Sequence, residues 1–185
     1  RRALGTLDGG QRRGRSNPAV FTARGGDGPV VLLMHGFGAP GTDLVPMWRS
    51  IDAPRGTRWV FPEALLSLTM GYGDARAWWL IDMDRLQRAL MKKDMRSLTY
   101  DIPDGLAEAR ERVEALITAL PSQLGISTEQ LVIGGFSQGA MLATDVALRS
   151  ERKLSGLVLL SGTLIAADEW GARLPWRKGL KVFQS

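Results

Sequence analysis

The chain reads as an α/β protein: a mostly parallel sheet with helices on both faces. Three observations predict it. Short apolar runs recur at 29–34 (PVVLLM), 131–133 (LVI) and 154–160 (LSGLVLL), the pattern of strands buried on both faces. Between them, Leu106, Ala109, Arg110, Val113, Leu116, Ile117 and Leu120 recur at spacings of three and four, which is a helical face. A glycine-rich segment then joins an apolar run to a helix-like one at 135–139 (GFSQG). Strands alternating with helices give a parallel sheet whose ligand site lies at the carboxyl ends of the strands.

Taken in order, two strand-like pieces at 3–7 and 19–23 are separated by a Gly/Arg-rich turn, and Gly25-Gly26-Asp27-Gly28 turns the chain into the first buried strand. Residues 1–28 therefore form N-terminal strands and a turn. His35-Gly36-Phe37-Gly38 closes the 29–34 strand. Residues 43–51 read as a short helix, and 57–61 as the next strand, stopped by Pro62. The stretch 62–82 is a long connection, a length usually reserved for function, and we take it as an active-site loop. A short helix is expected at 84–95. The strong helix follows at 103–124, opened by Pro103 and kinked or ended early by Pro121. Beyond the glycine-rich segment 135–139 come a strand at 154–160 and the beginning of another at 180–183.

At 185 residues one domain, 1–185, is expected. A hydrophobic fraction of 44% and charged fraction of 23% fit a globular chain, and no apolar run reaches membrane-spanning length. The start at Arg1-Arg2 has neither an initiator Met nor a signal-peptide core, so a trimmed start is expected. With zero cysteines and one histidine, disulfide, thiolate and zinc chemistry are excluded as expectations, and no cofactor is implied. The net charge of +5 comes from scattered basic residues without a recognition motif, which argues for solvated surface rather than nucleic acid. Cytoplasm is the default compartment.

The chemistry concentrates at Ser137. Strand, G-x-S-x-G and helix in that order make a nucleophile elbow, the sharp turn that exposes a serine hydroxyl in α/β-hydrolases. Gly135 and Gly139 leave room where the turn is tight, and the following helix N-terminus offers partial positive charge to a developing oxyanion. The turn after an early strand supplies one oxyanion N–H and the residue after the nucleophile the other, which assigns Phe37 and Gln138. His35 is read mainly as a structural histidine that holds its loop, with general base as the minor alternative, since a base must come within hydrogen-bond reach of Ser137. Met70, Tyr72, Trp78, Trp79 and Leu80 either line an acyl-binding cleft or pack their loop onto the domain. Asp82, Asp101, Asp145 and Asp168 are acids by residue type only; Asp145, on the elbow helix, and Asp168, in a polar loop, are read as surface or capping residues.

Together the segments 31–38 (VLLMHGFG), 61–64 (FPEA), 77–82 (AWWLID), 134–140 (GGFSQGA) and 159–162 (LLSG) resemble the phospholipase/carboxylesterase family of α/β-hydrolases, which includes the acyl-protein thioesterases. The resemblance runs from about residue 29 to 185. It implies a serine esterase for a small-molecule carboxylic ester, thioester or lysophospholipid, acting without metal or cofactor, with Ser137 as nucleophile and Phe37 and Gln138 as oxyanion donors. In the family, a strand such as 180–185 runs into a His-Gly segment and the catalytic Asp, and a later loop brings the catalytic His. No position here matches either, so the triad Asp and His are not in this chain. Three accounts stay open. The sequence is a piece of a longer protein; it is a truncated form that folds by pairing its exposed sheet edge with another copy or a complementing C-terminal segment; or it is a degenerate hydrolase scaffold, a non-catalytic module for acyl-ligand binding or assembly. The C-terminal strands and helix of the fold are expected to be missing.

Overall fold

The computed structural model describes residues 5–6, 20–23, 26–68 and 74–185. Nine strands occur among these: β1 (Gly5–Thr6), β2 (Val20–Ala23), β3 (Val30–Met34), β4 (Arg58–Pro62), β5 (Leu66–Ser67), β6 (Arg76–Ala77), β7 (Leu131–Phe136), β8 (Gly156–Leu160) and β9 (Val182–Gln184). The α-helices are α1 (Met83–Lys92), α2 (Leu106–Leu124), α3 (Gln138–Arg149) and α4 (Ala167–Arg173).

Seven strands form one sheet in the order β1-β2-β4-β3-β7-β8-β9. From β4 to β9 the pairings are parallel, whereas β1 and β2 add an antiparallel edge. Along β3 the faces alternate, as the pleat requires. Leu32 and Met34 join the large core with Val113, Ile117, Leu142 and Val146, while Leu33 joins Leu44, Trp59 and Phe61 on the opposite face. That second face is covered by the 3-10 helix Val45–Arg49, within the short helix expected at 43–51, with Pro46 in its first turn.

The apolar stripe read for the 103–124 helix is the stripe that α2 buries: Leu106, Ala109, Val113, Leu116, Ile117 and Leu120. Pro121 does not end the helix early. It sits inside the last turn, where only the bond to the Ile117 carbonyl is lost, and Gly125 closes the helix in the left-handed conformation at φ 63°. Within the 62–82 connection, β5 and β6 pair as a small antiparallel ribbon. Trp79 presses on the start of α2, where a Cβ built on Gly105 would lie 3.2 Å from the Trp79 Cβ.

Asp145 departs from its expected surface role. It is fully buried on α3 and receives Arg110 of α2 at 2.6 Å, Arg149 at 2.9 Å and the indole N–H of Trp170 of α4 at 2.8 Å. One carboxylate thus ties three helices together, and each of its oxygens is satisfied. Asp168 lies in the first turn of α4 rather than in a loop.

Candidate active site

The parallel register aligns the strand ends. Met34 of β3 sits opposite Gly135 of β7, and Phe136 opposite Leu160 of β8. The residues that follow β3 and β7 must therefore meet at one edge. A Cβ built on Gly36 would lie 3.1 Å from the Phe136 ring and 3.5 Å from the Ser137 Cβ. The two turns that the sequence singled out are in contact.

Ser137 occupies the tip of the β7–α3 turn at φ 49°, ψ −113°, a backbone conformation that costs a non-glycine residue of order 1–3 kcal/mol. Its N–H donates to the Leu160 carbonyl at 2.8 Å, and its own carbonyl accepts from Ala140 and Met141. Tight packing on both sides explains the flanking glycines. A Cβ on Gly139 would fall 2.1 Å from the Met34 carbonyl oxygen, and one on Gly135 would fall 2.5 Å from the Gly139 carbonyl carbon. Side chains there would push the helix off the sheet and lose the turn.

Among the described residues, neither the Phe37 nor the Gln138 backbone N–H donates to a main-chain carbonyl. Gly38 N–H donates to the Arg76 carbonyl at 2.8 Å, and Arg76 N–H to the Ala39 carbonyl at 3.2 Å, so the turn bearing Phe37 is stitched to β6. The side chain of Gln138 is buried. Its oxygen accepts the Trp78 N–H and its nitrogen donates to the Trp79 carbonyl, both at 2.9 Å.

His35 is 1% exposed, and both ring nitrogens are engaged by backbone. Nε2 accepts the Ala64 N–H at 3.1 Å, which leaves the proton on Nδ1, donated to the Gly36 carbonyl at 2.8 Å. Burial pulls its pKa below 6.5; the Gly36 bond and Asp43 oppose this, and Arg76 adds to it. The ring does not bond Ser137. It bridges the end of β3 to the segment after β4, and the Trp78 indole N–H fixes the His35 carbonyl at 2.9 Å.

Trp78 and Trp79 are buried, whereas Leu80 is exposed; all three line a cavity of about 430 Å³ between Leu65, Leu66 and the N-terminal turn of α2. Ser137 is not among its lining residues. Met70 and Tyr72 lie outside the described residues. The acids are engaged elsewhere: Asp82 caps α1 by accepting the Arg85 N–H, and Asp101 pairs with the Arg85 guanidinium. The clasp made by the Gln138 side chain has no signal in the sequence, because its partners lie some sixty positions away.

Several comparisons bear on this geometry. A sequence model of the phospholipase/carboxylesterase family matches residues 15–184. Acyl-protein thioesterase 1 of Cryptococcus neoformans is 29% identical over 137 residues, 71% of this chain and 53% of the relative. The protein of the same name from Yarrowia lipolytica is 28% identical over 156 residues, 82% and 64% of the two chains. The chain thus spans between about half and two thirds of the length of these relatives. Among solved structures, esterase PE8 superposes with a TM-score of 0.65 at 25% identity, covering 85% of this chain and 68% of that one. A carboxylesterase from Mesorhizobium loti shares the fold at 18% identity, with a TM-score of 0.61 over 90% of this chain and 84% of that one. With an α/β-hydrolase sheet, a strained serine between β7 and α3, and a family match over nearly the whole sequence, the chain belongs to the phospholipase/carboxylesterase family.

Proposed function

We propose that this chain carries the nucleophile and oxyanion half of a serine carboxylesterase. The observation that carries the reading is Ser137 itself, held at φ 49°, ψ −113° with the Gly36-Phe37 turn packed against it. In this scheme the Ser137 Oγ attacks the ester carbonyl carbon while its proton passes to a base. The Phe37 and Gln138 N–H groups then donate to the oxyanion of the tetrahedral intermediate. Collapse expels the alcohol, or the thiol of a thioester, and water hydrolyses the acyl-enzyme on Ser137. The N-terminal end of α3 points its partial positive charge at the same oxyanion.

The base and its orienting acid are not assigned within residues 1–185. His35 is the one histidine in the sequence, and its Nε2 lone pair is already used by Ala64. The reading therefore takes the base and acid from further sequence of the protein or from an associated chain set against β9, whose Val182 and Phe183 are more than half exposed at the sheet edge. Trp78, Trp79 and Leu80 are assigned to the acyl side of the substrate, and Met70 and Tyr72 are carried with them as substrate contacts. The names of the thioesterase relatives support an acyl ester or thioester, with lysophospholipid as the further option.

The engagement of the single histidine favours a second reading, a non-catalytic acyl-binding module on the same scaffold. A fluorophosphonate probe separates the two. Covalent labelling that shows in the intact mass and is lost in Ser137→Ala supports the esterase. A chain that binds acyl ligands yet takes no label, even with the rest of its polypeptide present, overturns it.

A further inference from the structure

The helix α1 presents an apolar stripe that the described fold does not bury. Ala89 is its one buried residue, and the helix packs on the 3-10 helix Met95–Tyr100. By contrast Met83 is 59%, Leu90 57% and Met91 79% exposed, and Leu80, just before the helix, is 65% exposed. Met83 and Leu90 are seven apart and so share one stripe, with Met91 beside it. Arg85, Arg88 and Lys92, at spacings of three and four, lie on the opposite side of the helix from Met83 and Leu90, with Met91 between the two faces, and Lys93 and Arg96 follow in the chain.

The charge on that face is largely uncompensated. Arg85 pairs with Asp101, but among the described residues Arg88, Lys92, Lys93 and Arg96 have no carboxylate within ion-pair distance. The acids on the same segment are Asp82, Asp84 and Asp94, and Asp82 and Asp94 are occupied in capping the turns that follow them. A helix with exposed apolar residues on one side and cations on the other matches a surface that is apolar beneath and anionic above. No described helix is long and apolar enough to cross a membrane, so the match is to lying on a bilayer.

We propose that α1, with Leu80, docks the protein on the surface of an anionic lipid bilayer, with Met83, Leu90 and Met91 entering the acyl boundary while Arg88, Lys92, Lys93 and Arg96 engage the headgroups. Leu80 adjoins Trp79, whose carbonyl is held by Gln138. This surface goes beyond the catalytic reading and does not depend on it.

The test is co-sedimentation of the full-length chain with phosphatidylcholine vesicles, with and without phosphatidylserine, at low and raised salt. The expected result is salt-sensitive binding to the anionic vesicles only, reduced about tenfold or more in an Arg88→Glu, Lys92→Glu variant and clearly in Met83→Ser, Met91→Ser. Ser137→Ala should bind as the parent does, which separates this proposal from the esterase reading. The substitutions on α1 are all at exposed positions, and circular dichroism confirms the fold. Equal binding to neutral vesicles, undiminished binding by the charge-reversed variant, or no binding at all overturns the proposal. Self-association abolished by Met91→Ser without vesicle binding overturns it too, and makes the face an interface between copies.

Discussion

The Gln138 side-chain oxygen accepts the backbone N–H of Trp78 at 2.9 Å, and the same amide donates onward to the Trp79 carbonyl. The residue assigned an oxyanion N–H therefore also anchors the loop that walls the cavity beside α2. In Gln138→Ala two buried backbone groups lose their partners. Each costs about 1–3 kcal/mol when left unsatisfied, so urea unfolding should show a loss of about 2–6 kcal/mol. Gln138→Glu keeps the acceptor for Trp78 but sets a buried carboxylate oxygen against the Trp79 carbonyl. It too should be destabilised, less so at acid pH where the carboxyl is protonated. Equal stability of all three proteins would remove the anchoring role.

Ser137 stores backbone strain, and glycine relieves it. Ser137→Gly should raise the unfolding free energy by about 1 kcal/mol while abolishing probe labelling. A Ser137→Gly chain less stable than the parent would show that the turn is not strained in this way.

Two helical glycines should answer differently to alanine. Gly139→Ala drives a methyl into the Met34 carbonyl and should cost about 3 kcal/mol or prevent folding. Gly171, inside α4, has nothing within 4 Å of a built Cβ, so Gly171→Ala should stabilise by up to about 1 kcal/mol. Thermal melts of both variants decide this.

Removing the carboxylate of Asp145 leaves Arg110, Arg149 and the Trp170 N–H facing an uncompensated site. Asp145→Ala should cost about 3–5 kcal/mol, read by denaturant titration. A loss below 1 kcal/mol would mean that water replaces the carboxylate.

The buried His35 makes stability depend on pH in a defined window. Its folded pKa lies below 6.5, because burial disfavours the imidazolium. Between the folded pKa and 6.5 the unfolded chain binds the proton and the folded chain does not. Stability is then fully present above 6.5 and falls as pH drops through 6.5 towards the folded value. With a single histidine, imidazole proton resonances report the titration directly; a midpoint at or above 6.5 would contradict the burial argument.

The sheet and the elbow were legible because they write themselves locally. Continuous apolar runs mark strands covered on both faces, and Gly135, Ser137 and Gly139 form a pattern within five residues, although the contact that requires Gly139 comes from the distant Met34 carbonyl. The contact of Gly36 with Ser137 follows from parallel register once β3 and β7 are neighbours. What escaped the sequence depends on distant partners. Asp145 sits on a helix that reads as amphipathic, and nothing nearby reveals that Arg110 and Trp170 converge on it. The 3-10 form of Val45–Arg49 and the survival of α2 through Pro121 are settled by tertiary packing and by the cap at Gly125, which propensity does not weigh. The β5–β6 ribbon has strands of two residues, too short for a period to show.

The Met34–Gly135 alignment also says something about time. The pairing joins segments roughly a hundred positions apart, and contacts of such separation form late because a long loop must close first. Until β7 arrives, β3 is a central strand with one flank open, and Gly36 has no Phe136 to press against. A ribosome-bound chain that has emerged only as far as α2 would therefore carry the oxyanion turn with nothing to shape it. Synthesis must pass α3, with its glycine seated under the Met34 carbonyl, before the strained serine can exist at all.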